Sequence, residues 1–130
     1  MLSIRAAALS DNGRVRSENE ERFLFDEKAR LFGVADGVGG LPGGGEAAQL
    51  AVEEIVEALR QAPADTDPDL VTVVEAANQA VATLGLKMSP AMGIGTTLTF
   101  GCVRKNAFKI AHVGDSRCYA ARKGQFIQLT

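Results

Sequence analysis

The order of apolar and polar positions predicts that strands open this chain. Residues 2–9 read as a strand, in which Leu2, Ile4 and Ala6 alternate with Ser3 and Arg5, and short apolar runs follow at 23–25 and 31–35. A period of two residues is typical of a strand with one buried face. The polar segment 26–30 separates the second run from the third, so these two strands are expected to form a hairpin.

Two helices are predicted in the middle of the chain, where apolar residues recur every three or four positions. The first is expected over residues 44–62. The second is expected to begin with Asp67 as its cap and Pro68 in its first turn, and to end at Gly85. We interpret the apolar face of each helix as core. These faces comprise Ala47, Ala51, Ile55, Ala58, Leu59 and Ala62 in the first helix, and Leu70, Val73, Val74, Ala77, Val81 and Leu84 in the second.

The last third of the chain returns to the pattern of strands. A loop rich in glycine is expected over residues 85–95, followed by strands near 97–102 and 108–113 with a turn at 104–106. Two shorter strand-like segments follow, at 118–121 and 126–127. The segment between them, 122–124, reads as a turn because it ends in glycine.

Composition narrows the class of protein. The chain has 130 residues, of which 46% are hydrophobic and 23% charged, as expected for one globular domain. A net charge of −2 gives no electrostatic reason to expect a nucleic acid or an anionic membrane as partner. No apolar run approaches the length of a membrane span. Cys102 and Cys118 are expected to be reduced thiols, which predicts a cytoplasmic protein.

Four carboxylates at the ends of predicted strands are the candidate chemistry. Glu20 and Glu21 precede the second strand, Asp36 ends the third, and Asp115 follows a later one. Hard divalent cations such as Mg²⁺ and Mn²⁺ prefer oxygen ligands. The pattern therefore favours a site for such a cation. Zinc is not favoured, because the cysteines are far apart and His112 is interpreted as a buried or half-buried strand residue.

Arg16 is the candidate anion-binding residue, since a guanidinium can hold a phosphate through two parallel hydrogen bonds. A surface arginine in a loop is an equally good reading from composition alone.

The glycine-rich turn after Asp36 could instead bind a dinucleotide. Residues 37–42 lack the third glycine of that fingerprint, and Asp36 would repel a pyrophosphate. A cation between carboxylate and phosphate removes this repulsion, so the metal site is preferred.

Several motifs occur in the order found in one known family. They are residues 10–21, with an arginine followed by Asn19-Glu20-Glu21; residues 34–40, Val-Ala-Asp-Gly-Val-Gly-Gly; residues 95–98, Gly-Thr-Thr-Leu; residues 113–117, Val-Gly-Asp-Ser-Arg; and the final stretch 124–130. Together they resemble the metal-dependent protein serine/threonine phosphatases of type 2C, in their compact bacterial form. The resemblance implies an α+β fold, a four-layer αββα sandwich of two antiparallel sheets flanked by helices.

The resemblance also implies a set of metal ligands. Asp36 would bridge two Mn²⁺ or Mg²⁺ ions, and the carbonyl of Gly37 would bind one of them. Glu20 and Glu21 would act mostly through water, and Asp115 would help to hold a third ion.

The implied reaction is hydrolysis of phosphoserine or phosphothreonine by in-line attack of a metal-activated water. Arg16 would hold the phosphate of the substrate, and Asp36 would be catalytic through the ions that it binds. The expected partners are phosphoprotein substrates and a pathway with a cognate serine/threonine kinase.

The sequence departs from the family pattern in three ways. Glu21 stands where aspartate is usual, Val38 replaces the usual methionine, and the later aspartates of the family are missing. Residues 1–130 are therefore expected to be the N-terminal portion of a phosphatase domain that lacks its C-terminal half. The alternative is a truncated, non-catalytic module that binds a partner or regulates. Open sheet edges would favour self-association in either case.

Overall fold

The computed structural model describes residues 3–39 and 42–130. Leu2 of the predicted first strand and Gly40 of the glycine turn lie outside these ranges. The elements are the strands β1 (Glu21–Asp26), β2 (Leu31–Asp36), β3 (Leu98–Arg104), β4 (Ala107–Val113), β5 (Tyr119–Arg122) and β6 (Gln125–Gln128), and the helices α1 (Gly44–Gln61) and α2 (Leu70–Met88). Within the described ranges, neither helix is long and apolar enough to cross a membrane.

The strands form two antiparallel sheets. The larger has the order β1-β2-β3-β4, and β5 pairs with β6 in a separate hairpin. The predicted hairpin of the second and third runs is confirmed as β1–β2, with Glu21 opposite Asp36 at its open end. The turn between β3 and β4 is confirmed at Lys105 and Asn106, whose φ angles are 51° and 61°. Two left-handed residues in succession match the twist of a two-residue hairpin.

Both helices lie on one face of the larger sheet. Strand residues that alternate along β1, β2 and β3 pack against α1 and α2 in one core, which includes Leu24, Leu31, Phe100, Ile55 and Leu59. β3 is buried along its whole length, as expected for a strand with neighbours on both sides. The predicted α+β class with antiparallel sheets is confirmed.

Helix α1 confirms the first predicted helix, ending one residue earlier than expected. It begins after Gly43, whose φ of 82° is left-handed and suits glycine. The predicted apolar face is buried at Ala47, Ala51, Ile55 and Leu59.

Helix α2 was predicted in the right place with the wrong ends. Its cap is Asp69 and not Asp67, because the carboxylate of Asp69 accepts the N–H groups of Val71 and Thr72. The helix also continues past Gly85 to Met88. Gly85 is buried within it, and a methyl group there would lie 3.1 Å from the backbone nitrogen of Ile94. This glycine serves close packing rather than termination.

The predicted first strand is wrong for residues 3–9, which carry no regular secondary structure. An alternating sequence forms a strand only when its backbone groups find a partner. In the part of the chain that the structure describes, no strand pairs with this segment.

The face of the larger sheet away from the helices is apolar and open. Phe23 and Phe25 of β1, Val34 of β2 and Phe108 of β4 are 45%, 37%, 44% and 52% exposed. Phe25 packs edge-to-face against Phe32, with ring centroids 5.6 Å apart. Large apolar side chains exposed on one face are what soluble proteins usually cover.

The end of the sheet that leads into the β1–β2 turn carries buried charge. Asp26 is 6% exposed, accepts the N–H of Ala29 at 2.8 Å and pairs with Arg60 of α1 at 2.5 Å. The amide and the guanidinium hold the pKa of Asp26 below its usual range, against the opposing effect of burial. Arg104 is buried beside them and donates to the carbonyls of Ala29 and Leu59, which ties β3 to the end of α1.

Candidate metal and phosphate site

Asp36 lies where β2 ends, and its backbone is held on both sides by Thr97. The Asp36 N–H donates to Thr97 Oγ1 at 3.2 Å, and the Thr97 N–H donates to the Asp36 carbonyl at 2.8 Å. Glu21 is directly opposite Asp36 in the β1–β2 register. Opposed residues on antiparallel strands point to the same face, so the two carboxylates share one side of the sheet.

Gly37 continues the chain into a very close approach between backbones. Its N–H donates to the Glu20 carbonyl at 3.1 Å, and the next N–H, of Val38, donates to the Gly95 carbonyl at 2.9 Å. A methyl group on Gly37 would stand 2.2 Å from the carbonyl oxygen of Gly44, in the first turn of α1. Only glycine fits this position, so the turn after Asp36 is set by α1.

The side chain of Glu20 lies under the start of α1. Its Oε2 is buried and has no hydrogen-bond partner among the described residues. A methyl group on Gly44 would be 2.8 Å from this oxygen. The absence of a side chain at Gly44 therefore leaves the room in which the carboxylate sits.

Arg16 lies across the glycine turn. A methyl group on Gly39 would be 3.1–3.3 Å from the guanidinium atoms of Arg16. An open cleft of about 490 Å³ is lined by Val15, Arg16, Ser17, Glu18, Glu20 and Gly39. The predicted phosphate-binding arginine and one predicted metal-binding glutamate thus share a cleft.

Asp115 is exposed on the loop between β4 and β5, and both of its neighbours contact Thr97. Ser116 Oγ lies 2.5 Å from Thr97 Oγ1. A methyl group on Gly114, whose φ is 103°, would be 2.8 Å from the Thr97 Cγ2. The Tyr119 hydroxyl 3.2 Å from Arg117, and to a lesser degree the Asp115 carboxylate, raises the pKa of Arg117.

A family model described as protein phosphatase 2C matches residues 17–130. The chain belongs to this family. The phosphatase 2C match begins one residue after Arg16, so it includes every other candidate site residue.

Curated relatives of this phosphatase 2C chain are bacterial phosphatases. It is 38% identical over 131 residues to the serine/threonine protein phosphatase PstP of Mycobacterium tuberculosis, a match that covers 99% of this chain and 25% of PstP. It is 30% identical to the serine/threonine phosphatase stp of Listeria monocytogenes, with 93% and 51% covered. The chain thus spans about half of the length of these relatives or less.

Solved structures agree with the phosphatase 2C assignment. The catalytic domain of PstP in complex with two manganese ions is 37% identical, with a TM-score of 0.81 and coverage of 95% of this chain and 54% of that one. The phosphatase MsPP of Mycobacterium smegmatis, in complex with cacodylate, is 33% identical, with a TM-score of 0.79 and coverage of 94% and 50%. The predicted fold is confirmed over the part of these domains that the chain matches.

His112 differs from its prediction. It is exposed on β4, and its Nδ1 lies 2.8 Å from Thr99 Oγ1. His112 lies opposite Thr99, which in turn lies opposite Val34, so its ring is on the open face of the larger sheet away from the helices.

The predicted ligands of this phosphatase 2C chain form two neighbourhoods joined at Asp36. Glu20 and Gly37 meet beside α1, and Asp115 is linked to Asp36 through Thr97. Within residues 3–39 and 42–130, no three side chains of His, Cys, Asp or Glu lie together as a metal cage.

Sequence reasoning missed the parts played by Gly44, Thr97 and Ser116. The Gly43–Gly45 run was a signal for a close approach to α1, because three glycines at a helix start are costly without such a need. Nothing in the pattern distinguishes the hydroxyl of Thr97 from that of Thr96.

Asp11 also lines a cleft with Glu21 and Asp36, which could not be foreseen from a turn motif.

Proposed function

We propose that residues 1–130 correspond to the N-terminal part of the catalytic domain of a metal-dependent protein serine/threonine phosphatase. The observation that carries the proposal is the Asp36–Gly37 turn packed on α1, with the unpaired Oε2 of Glu20 beside it. The names of the relatives support the reaction class. Manganese bound to the PstP catalytic domain supports Mn²⁺ as the ion, with Mg²⁺ as a second candidate.

The residues of the site fit a divalent cation. A buried carboxylate oxygen without a donor is costly, and a cation or its water shell would supply the missing partner to Glu20. Glu21 and Asp36, opposed across β1 and β2, repel each other until a positive charge lies near them. We assign the binding of two ions to Asp36 and Gly37 with Glu20 and Glu21, and a third ion to Asp115.

The roles of the chain's own residues follow from their places. A bound divalent cation lowers the pKa of water and neutralises phosphate charge. Arg16, in the cleft that it shares with Glu20 and Gly39, binds and orients the phosphate of a phosphoserine or phosphothreonine. The backbone N–H and carbonyl of Asp36 both bond to Thr97, which fixes the backbone from which the Asp36 carboxylate extends.

A non-catalytic binding module is the second candidate. The observation that favours it is the lack of a three-ligand cage among the described residues. With few ligands per ion, the 130-residue chain is expected to bind metal weakly and to turn over slowly or not at all. A longer form that supplies more carboxylates is expected to be active.

Hydrolysis of p-nitrophenyl phosphate, and then of a phosphothreonine peptide, tests the proposal. Both are measured with Mn²⁺, with Mg²⁺ and with chelator, for the natural chain, for Asp36→Asn and for a form extended to the length of the relatives. The proposal expects turnover by the extended form that chelator and Asp36→Asn abolish. Turnover that survives chelator would overturn it, and a folded extended form with metal bound but no turnover would favour the binding module.

Several finer points of this function remain our proposals. We assign the chain to a pathway with a cognate serine/threonine kinase, because its substrates would be phosphoproteins. A cytoplasmic location is in keeping with free Cys102 and Cys118. Self-association through the open edges β1 and β4 is proposed from the order of the sheet.

A further inference from the structure

Thr97 lies between the segments of Asp36 and Asp115 and bonds to both. Its backbone and side chain both bond to Asp36, at 2.8 Å and 3.2 Å. Its side chain also contacts both neighbours of Asp115, through Ser116 Oγ at 2.5 Å and through the close packing of Gly114. One residue therefore contacts the segments that carry two predicted metal ligands.

The hydroxyl of Thr97 makes two hydrogen bonds. It accepts the N–H of Asp36 and exchanges a hydrogen bond with Ser116, in which either oxygen can be the donor. A hydroxyl has one proton and two lone pairs, so both bonds can form together. The methyl group of Thr97 makes a separate contact with Gly114. Any larger residue in place of Gly114 would collide with this methyl group.

Further hydrogen bonds of the loop that carries Asp115 lie at its far end, where Arg117 bonds to the Tyr119 hydroxyl and the Cys118 N–H donates to Thr130 Oγ1. Asp115 is exposed, and the β5–β6 hairpin beyond it forms a sheet of its own. The register of β3 and β4 ends with Leu98 opposite Val113, one residue before the contact of Thr97 with Gly114. The contacts of Thr97 thus continue the pairing of β3 with β4 by about one residue pair, as far as the residue before Asp115.

We infer that Thr97 is a positioning residue that sets the Asp36 and Asp115 carboxylates relative to each other, with Ser116 as its partner. The inference rests on the proposed metal-dependent function. Groups that orient metal ligands commonly change metal affinity by about 10- to 100-fold when they are removed. Thr97 binds no phosphate and no ion in this scheme, and acts only through the two segments that it joins.

Three substitutions separate the contacts. Thr97→Val keeps the shape and removes the hydroxyl, whereas Thr97→Ser keeps the hydroxyl and removes the methyl group. Ser116→Ala breaks only the bond to the Asp115 loop and leaves the hydrogen bond to Asp36. Because Ser116 lies outside the strands, Ser116→Ala is expected to fold even if Thr97→Val does not.

The experiment measures Mn²⁺ affinity of the full 130-residue chain by the electron paramagnetic resonance signal of free Mn²⁺. Hydrogen exchange of the Asp36 amide is measured in the same variants without metal. We expect Thr97→Val to weaken the Mn²⁺ affinity roughly 10-fold or more and to speed exchange of this amide. Ser116→Ala should weaken the affinity without changing the exchange, and Thr97→Ser should stay within about threefold of the natural chain.

The outcomes distinguish the inference from the function on which it rests. If the natural chain binds no Mn²⁺ and the extended form binds none either, the proposed function fails and the inference fails with it. If the natural chain or its extended form binds Mn²⁺ and the Thr97→Val and Ser116→Ala variants bind it equally well, only the positioning role is overturned. In a double variant with Asp115→Asn, Ser116→Ala should cause no further loss; an additive loss would also overturn it.

Discussion

Gly37 faces Gly44 so closely that a methyl group on Gly37 would stand 2.2 Å from the Gly44 carbonyl oxygen. The clash would be with backbone, which cannot rotate away as a side chain can. The acid-bearing end of β2 and the first turn of α1 are therefore one rigid unit.

Gly37→Ala is expected to destabilise the chain by on the order of 3 kcal/mol, because the turn or the start of α1 must move. The matched control is Gly45→Ala, where the nearest atom would be 3.5 Å away, at the flexible end of Arg22. That change should stabilise α1 by about 0.5–1 kcal/mol through helix propensity. Urea denaturation measures both, and equal effects of the two substitutions would contradict the close approach.

Asp26 is expected to make the stability depend on acid pH. Its pKa in the folded chain is below the ordinary 3.8. A lowered pKa stabilises the folded state above the unfolded value, and this stabilisation is lost as the pH falls through 3.8 towards the folded value. Asp26→Asn should lower the free energy of unfolding at pH 7 by about 1 kcal/mol. The effect is no larger because Arg60 is exposed and water screens its charge.

The measurement is urea denaturation of the natural chain and Asp26→Asn between pH 7 and pH 2. The difference in unfolding free energy between them should shrink below pH 4. A difference that stays constant over this range would show that the Asp26 carboxylate charge is not responsible. Glu57→Gln on the exposed side of α1 is the control, and its difference should stay small throughout.

The open apolar face of the sheet is expected to drive self-association. Phe23, 45% exposed, lies on this face at the edge strand β1. Phe23→Thr should lower the association constant, since it removes apolar area while it keeps strand propensity. Analytical ultracentrifugation measures the change.

The control for this substitution is Val71→Thr on α2. Val71 is 66% exposed, more than Phe23, but it lies on a helix away from that face. If both substitutions reduce association equally, general surface apolarity and not this face is the cause.

The two cysteines are expected to differ in reactivity. Cys102 is fully buried in β3, and burial raises the pKa of its thiol, so little thiolate is available. Cys118 is only half-buried, just before β5. Iodoacetamide at pH 8 should label Cys118 in the folded chain and Cys102 only after unfolding, as read by mass spectrometry of peptides. Labelling of both at one rate would contradict the burial of Cys102.

The periodicity of apolar residues predicted the elements that bury one face. The period of Ala47, Ala51, Ile55 and Leu59 gave α1 to within one residue, because one apolar stripe decides the buried face. The strand predicted over residues 3–9 is wrong because a strand depends on more than its own pattern. Their alternation describes a strand, but a strand needs a hydrogen-bonding partner, and the pattern of one segment carries no information about its neighbour.

The site was predicted as a set of residue types and not as an arrangement. Asp36 and Gly37 stood out because a strand that ends on a carboxylate before a glycine-rich turn is a common way to hold a charged group at the edge of a sheet. The dependence of Asp36 on Thr97 could not be predicted, since it arises from pairing between β2 and β3 and not from either segment alone. The cap of α2 was misassigned because Asp67 and Asp69 flank the same proline and only geometry chooses between them.

The hydrogen bond between Asp36 and Thr97 spans 61 residues of sequence, including both helices. The β1–β2 hairpin closes over a short turn, whereas the β2–β3 pairing must close this long loop, which is slower and entropically more costly. During refolding, amides of the hairpin should therefore gain protection before the amide of Asp36 in pulsed hydrogen exchange. The early hairpin already places Glu21 opposite Asp36, whereas Thr97 and the segment of Asp115 reach Asp36 only when β2 pairs with β3, so the candidate site is completed by a late step of folding.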